Sequence, residues 1–107
     1  MGTGSIEVTE ATVVDEDLVG AMARLVPQLS SSGSPPDAEA LEAIVASDSV
    51  VLLVAVSQGV TVGALALVLF RIPTGLRAWI EDVVVDEAAR GRGVGEALNR
   101  VAIERAQ

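Results

Sequence analysis

At 107 residues, half of them hydrophobic, the chain has material for one domain with an aliphatic core, Phe70 and Trp79 being its only aromatic residues. It has no His and no Cys, which excludes a disulfide framework and a histidine-based nucleophilic triad and argues against a zinc site. The net charge of −8, with nine acids and one Arg in residues 1–50, argues against a nucleic-acid surface and suits a cationic or amine-bearing partner.

The opening MGTGSIEVTE has no basic segment followed by an apolar run, so no signal peptide is expected and a cytoplasmic protein is the default. Ile6 to Val14 reads as a first strand, Ile6 and Val8 alternating with Glu7 and Thr9. Asp15 can cap a helix whose apolar residues Leu18, Met22, Leu25 and Leu29 recur at helical spacing, and Pro27 should end or kink it. SSSGSPP at residues 30–36 reads as a loop, and Ser34, Pro35, Pro36 and Asp37 open a second helix. Its inward residues are Ala38, Leu41, Ile44 and Val45, and its end lies near Ser47.

Residues 50–70 are uncharged throughout, long enough to span a membrane as one helix. The break at Ser57-Gln58-Gly59 and the β-branched content favour an antiparallel hairpin, Val50 to Val56 against Val60 to Phe70. After a loop at Ile72 to Leu76, Ala78 to Val85 forms a fourth strand that runs through an acidic turn into Arg90-Gly91-Arg92-Gly93-Val94-Gly95 and a last helix. On that helix Val94, Leu98 and Val101 make the buried stripe, while Glu96, Arg100 and Glu104 are surface residues. The expected fold is α/β, an α+β arrangement on a mixed sheet, with the order β–α–α–β–β–β–α.

A Gly-rich loop that opens a helix is an anion cradle, because the first N–H groups of a helix have no intrahelical partner and carry the positive end of its dipole. Gly93 and Gly95 let a phosphate approach the backbone, and Arg90 and Arg92 add charge. A dinucleotide fingerprint fails here, since its third glycine would fall on Glu96 or Leu98, and a P-loop needs a lysine that the chain lacks.

The stretch IEDVVVDEAARGRGVGEAL, in this element order, resembles the acetyl-coenzyme-A-binding motif of the GNAT superfamily of N-acetyltransferases, with Arg90, Gly93 and Gly95 in the motif's places. The resemblance implies transfer of an acetyl group from acetyl-CoA to a primary amine by direct attack in a ternary complex. It implies that the pyrophosphate rests on the N–H groups of Gly91, Arg92, Gly93, Val94, Gly95 and Glu96. It further implies that main-chain groups of Val83, Val84 and Val85 pair with the pantetheine arm, and that Glu81 on the same strand is a candidate general base.

Strand alternation would put Asp82 on the face opposite Glu81. Glu81 could instead pair with Arg77, and Trp79 on its face could line the substrate cleft or join the core. Family members continue past this helix with further strands and a helix bearing a tyrosine. Residues 1–107 are therefore expected to form one domain truncated at its C-terminus, lacking that tyrosine. The fourth-strand edge would be open to a second copy of the chain. Two other readings use the same residues: a non-catalytic acyl-CoA-binding or assembly module, and a small membrane protein spanning with residues 50–70.

Overall fold

The computed structural model describes residues 5–30 and 32–107; the reading of residues 1–4 as free of a leader, and Ser31 of the SSSGSPP loop, lie outside them. In chain order the elements are β1 (Glu7–Glu10), α1 (Glu16–Leu29), α2 (Ala38–Ala46), β2 (Val50–Ser57), β3 (Val60–Ile72), β4 (Gly75–Val85) and α3 (Val94–Ala106). A single 3-10 turn, Glu87–Ala89, separates β4 from the loop before α3. The strands form one antiparallel sheet in the order β1-β2-β3-β4. This is the β–α–α–β–β–β–α order expected from the sequence. The sheet is antiparallel throughout the described residues and not mixed, because β2 turns back directly into β3 and β3 into β4, and β1 pairs antiparallel with β2.

Local chemistry accounts for the element ends. Asp15 accepts a hydrogen bond from the Leu18 N–H at 2.9 Å and Asp37 one from the Ala40 N–H at 2.8 Å, each satisfying an orphan donor of a first turn. Helix α1 runs two residues past Pro27 and stops at Leu29, whose side chain remains exposed. Pro27 has no N–H to give the Ala23 carbonyl one turn back, and the helix ends within two residues of that lost bond. The first strand is shorter than expected: after Glu10 the Ala11 N–H still reaches the Leu52 carbonyl, and the chain then leaves the sheet toward the Asp15 cap.

The uncharged run 50–70 is a hairpin. Gln58 and Gly59 both have positive φ (53° and 79°) between the paired residues Ser57 and Val60, a turn whose twist matches that of the flanking strands. Apart from Ser57, Gln58 and Thr61 at and beside the turn, the run has no polar side chain, because both faces of the hairpin are covered. Val51, Leu53, Ala55, Leu65 and Leu67 pack toward Val94, Leu98 and Ala102 of α3. Leu52, Val54, Ala64 and Val84 pack on the other face toward Leu18, Met22 and Leu25 of α1 and Leu41 of α2. No helix among the described residues is long and apolar enough to cross a membrane.

The α3 layer sits unusually close to β3. A Cβ at Gly63 would lie 2.8 Å from Val94 Cγ1, 3.1 Å from the Val84 carbonyl oxygen and 3.2 Å from Leu98 Cδ1. Only the absence of a side chain there lets the helix start settle on the sheet. Gly63→Ala is therefore expected to destabilise the fold by about 1–3 kcal/mol through overpacking. Urea denaturation of the two proteins checks this, and equal midpoints would refute it.

Candidate active site

The last residues of β4 and the loop before α3 form the anion cradle. Gly91 and Gly93 have φ of +84° and +80°, a left-handed backbone that L residues adopt only with strain, and Gly93 is the N-cap of α3. Because a glycine has no side chain to cap the helix, nothing in the loop occupies its first amides. The first helical bond is from the Ala97 N–H to the Gly93 carbonyl at 3.0 Å. Among the described residues, no protein acceptor takes the N–H groups of Gly91, Arg92, Gly93, Val94, Gly95 or Glu96. Four or more free donors at the positive end of a 13-residue helix fit a pyrophosphate.

The two loop arginines differ in what they do. Arg92 donates to the buried Ser57 Oγ at 2.7 Å, tying the loop to the β2–β3 turn. Arg90 is exposed and joins no ion pair among the described residues, so it is the cation available to a ligand. Val94 is buried in the core, so its amide is offered while its side chain anchors the helix. A Cβ at Gly95 would meet Val85 Cγ2 at 3.7 Å, an ordinary contact at the seam between α3 and the end of β4.

Strand β4 is the outer edge of the sheet, so the outward backbone groups of Val83, Val84 and Val85 have no strand beside them among the described residues. The side chains of Val83 and Val85 pack toward α3 and that of Val84 toward α1.

Around Glu81 the structure corrects the alternation argument. The β3–β4 register shifts between Ala64 and Ala66: Ala66 faces Glu81 and Ala64 faces Val84, leaving Asp82 and Val83 opposite the single residue Leu65. Asp82 is the bulged residue, with φ of +51°. The extra residue cancels the alternation, and Glu81, Asp82 and Val84 all line one cavity between α1, α2 and the sheet. Both carboxylates remain exposed, and Glu81 is not buried within the strand. Nor does it pair with Arg77, whose guanidinium donates to Thr74 Oγ1 and the Leu76 carbonyl. Its partner is Trp79, whose indole N–H donates to Glu81 Oε2. Trp79 itself is 58% exposed and is not a residue of the core.

A polar cluster that sequence reasoning missed holds the strand end in place. Arg24 of α1 pairs through Nε with Asp86 Oδ2 at 3.0 Å and also donates to the Thr61 carbonyl. Gln28, one turn on, accepts from the Glu87 N–H at 2.7 Å and donates to Asp86 Oδ1. Arg24 is the only base in the first fifty residues, and that solitary charge was the available signal. Gly63 likewise announced itself as an isolated glycine within a strand.

The elements make an α+β fold with a candidate anion cradle at the junction of the fourth strand and the following helix. Residues 18–107 match the sequence profile described as the Acetyltransferase (GNAT) family, and the chain belongs to that family. Solved structures share the fold. A GNAT family acetyltransferase of Staphylococcus aureus is similar with a TM-score of 0.82 at 18% identity, over 95% of this chain and 78% of that one. A transcriptional regulator from Bacillus halodurans is 32% identical, with a TM-score of 0.72 over 95% of this chain and 74% of that one. An aminoglycoside acetyltransferase from an uncultured soil metagenomic sample, in complex with sisomicin, has a TM-score of 0.76 at 21% identity, over 94% and 72% of the two chains. A comparison with curated proteins gives no match.

The carboxyl group of Asp86 is held below its ordinary pKa of 3.8, first by the Ala88 N–H and then by Arg24 and Gln28, with partial burial opposing them. A lowered folded pKa contributes stability that is present in full above 3.8 and is lost as the pH falls through the lower folded value. Asp86→Asn should therefore be less stable than the parent at pH 7, with the gap closing below pH 3.8. Urea titrations at the two pH values test this; a gap that is unchanged in acid would refute the assignment.

Proposed function

We propose that the protein is an acetyl-CoA-dependent N-acetyltransferase acting on a primary amine. The observation that carries this reading is the row of unpartnered amides from Gly91 to Glu96, set at the end of an edge strand in a chain of the GNAT family. Acetyl-CoA, when bound, supplies an acyl group already activated as a thioester.

The chain's own residues then have distinct tasks. The amides of Gly91 to Glu96 and the guanidinium of Arg90 hold the pyrophosphate, and Arg92 keeps the loop against Ser57. The outward main-chain groups of Val83, Val84 and Val85 extend along the pantetheine arm as a pseudo-strand, and one N–H among them polarises the carbonyl under attack. Glu81 takes the proton from the acceptor ammonium so that the neutral nitrogen can form the amide bond, and Trp79 fixes the orientation of its carboxylate. The chain has no Tyr, so among these 107 residues no phenol returns a proton to the departing sulfur.

The reading is tested by calorimetry with coenzyme A. Binding is expected for the parent and should be lost in Gly93→Val and in Gly95→Val, with circular dichroism confirming that each variant is folded. Gly93→Val carries added backbone strain at its left-handed position, and Gly95→Val does not, so agreement between them isolates blocked access. Unchanged affinity in both would remove the cradle assignment.

Glu81→Gln should lower kcat by roughly 100-fold or more, within the range of general-base contributions, and flatten the acid limb of the pH profile. An unaltered profile would return Glu81 to a structural role.

A further inference from the structure

The side of β4 that carries Glu81 opens on a cavity of about 440 Å³, near the lower end of the roughly 300–1,000 Å³ typical of small-molecule sites. Its walls are apolar: Met22 and Val26 of α1, Leu41 and Ile44 of α2, and Leu52, Ala66 and Val68 of the sheet contribute to it. Among the fifteen lining residues the only charged ones are Glu81 and Asp82, and none is basic. The two carboxylates are exposed while Leu41 and Leu52 are buried, so the charge sits at the mouth and the apolar surface lies within. The bulge at Asp82 is what brings both acids to this one opening.

We infer that this cavity takes a small monoamine with an apolar body, its ammonium held by Glu81 and Asp82 and its hydrocarbon seated among Met22, Leu41, Ala66 and Val68. The inference rests on the reading of Glu81 as the group that serves the acceptor amine, and it names the acceptor's class. Three features select against other amines. An apolar lining leaves a second ammonium or a row of hydroxyls without partners, which disfavours polyamines and amino sugars. Two carboxylates without a neighbouring base repel a free carboxylate, which disfavours amino acids. The volume suits a compact molecule and not a long peptide segment.

Trp79 is the only tryptophan and donates its indole N–H to Glu81, so its fluorescence reports directly on the mouth of the cavity. Titration of the full chain with n-hexylamine is expected to shift Trp79 emission saturably. Ethanolamine, hexanoate and spermidine should each bind at least about tenfold more weakly, given the loss of apolar burial or of charge match. Ala66→Phe, which fills the cavity beside Glu81, should abolish the response to hexylamine and leave coenzyme A binding at the loop unchanged. Should that variant not fold, the isosteric double substitution Glu81→Gln and Asp82→Asn gives the same test, since both positions are exposed and Asn tolerates the left-handed backbone at 82.

Equal affinity for ethanolamine or hexanoate, or hexylamine binding that survives the folded variants, would overturn the inference. So would absence of hexylamine binding together with self-association in light scattering, which would mean that a second copy covers the cavity. Coenzyme A binding without hexylamine binding defeats this inference alone. Hexylamine binding without coenzyme A binding defeats the transferase reading and leaves the cavity's specificity standing.

Discussion

The contact on which the cradle depends is the seat of α3 over Gly63. Val94 and Leu98 lie where a side chain at that position would have been, and Val84 closes the same spot from the strand side. A helix held this close to the sheet must begin immediately beside the end of β4, and its first amides therefore open next to Val85. The burial that stabilises the domain and the geometry that offers hydrogen bonds to an anion are one arrangement. Core packing fixes the donors in advance, so a ligand meets a preorganised site and does not pay to order it.

A second local departure from regular structure sets the other half of the site. A regular strand would send Glu81 and Val84 to opposite faces, and the extra residue at Asp82 places them on the same one. The bulge has two consequences at once. It gathers two carboxylates at the mouth of an apolar cavity, and it bends the strand just before Val83, Val84 and Val85, whose outer edge is open. The apolar cavity and the open strand edge thus meet along about five residues of one strand.

Between these halves, the Arg24–Asp86–Gln28 cluster joins α1 to the turn that leads into the glycine loop. Helix α1 also walls the apolar cavity through Met22 and Val26, so the element that shapes that cavity also anchors the approach to the glycine loop. The ion pair is partly solvated, and its worth lies in position more than in net stability.

The fold was legible in the residues because its signals are local. Asp15 and Asp37 announce helix starts, and two β-branched apolar runs parted by Ser57-Gln58-Gly59 identify a hairpin. The glycine loop was legible for the same reason, since its chemistry resides in consecutive amides. What the sequence could not determine concerns residues brought together across the chain. The spacing of Glu81 and Asp82 predicts opposite faces, and only pairing with Leu65 reveals the bulge that unites them. Arg77 is nearer in sequence to Glu81 than many alternatives, yet the turn at Thr74 captures its guanidinium. The link from Arg24 to Asp86 spans 62 residues and carries no periodic trace. Amide donors, caps and turns act over a few bonds and are written in order along the chain; side-chain partners and cavities depend on register and packing, and only the assembled tertiary structure decides them.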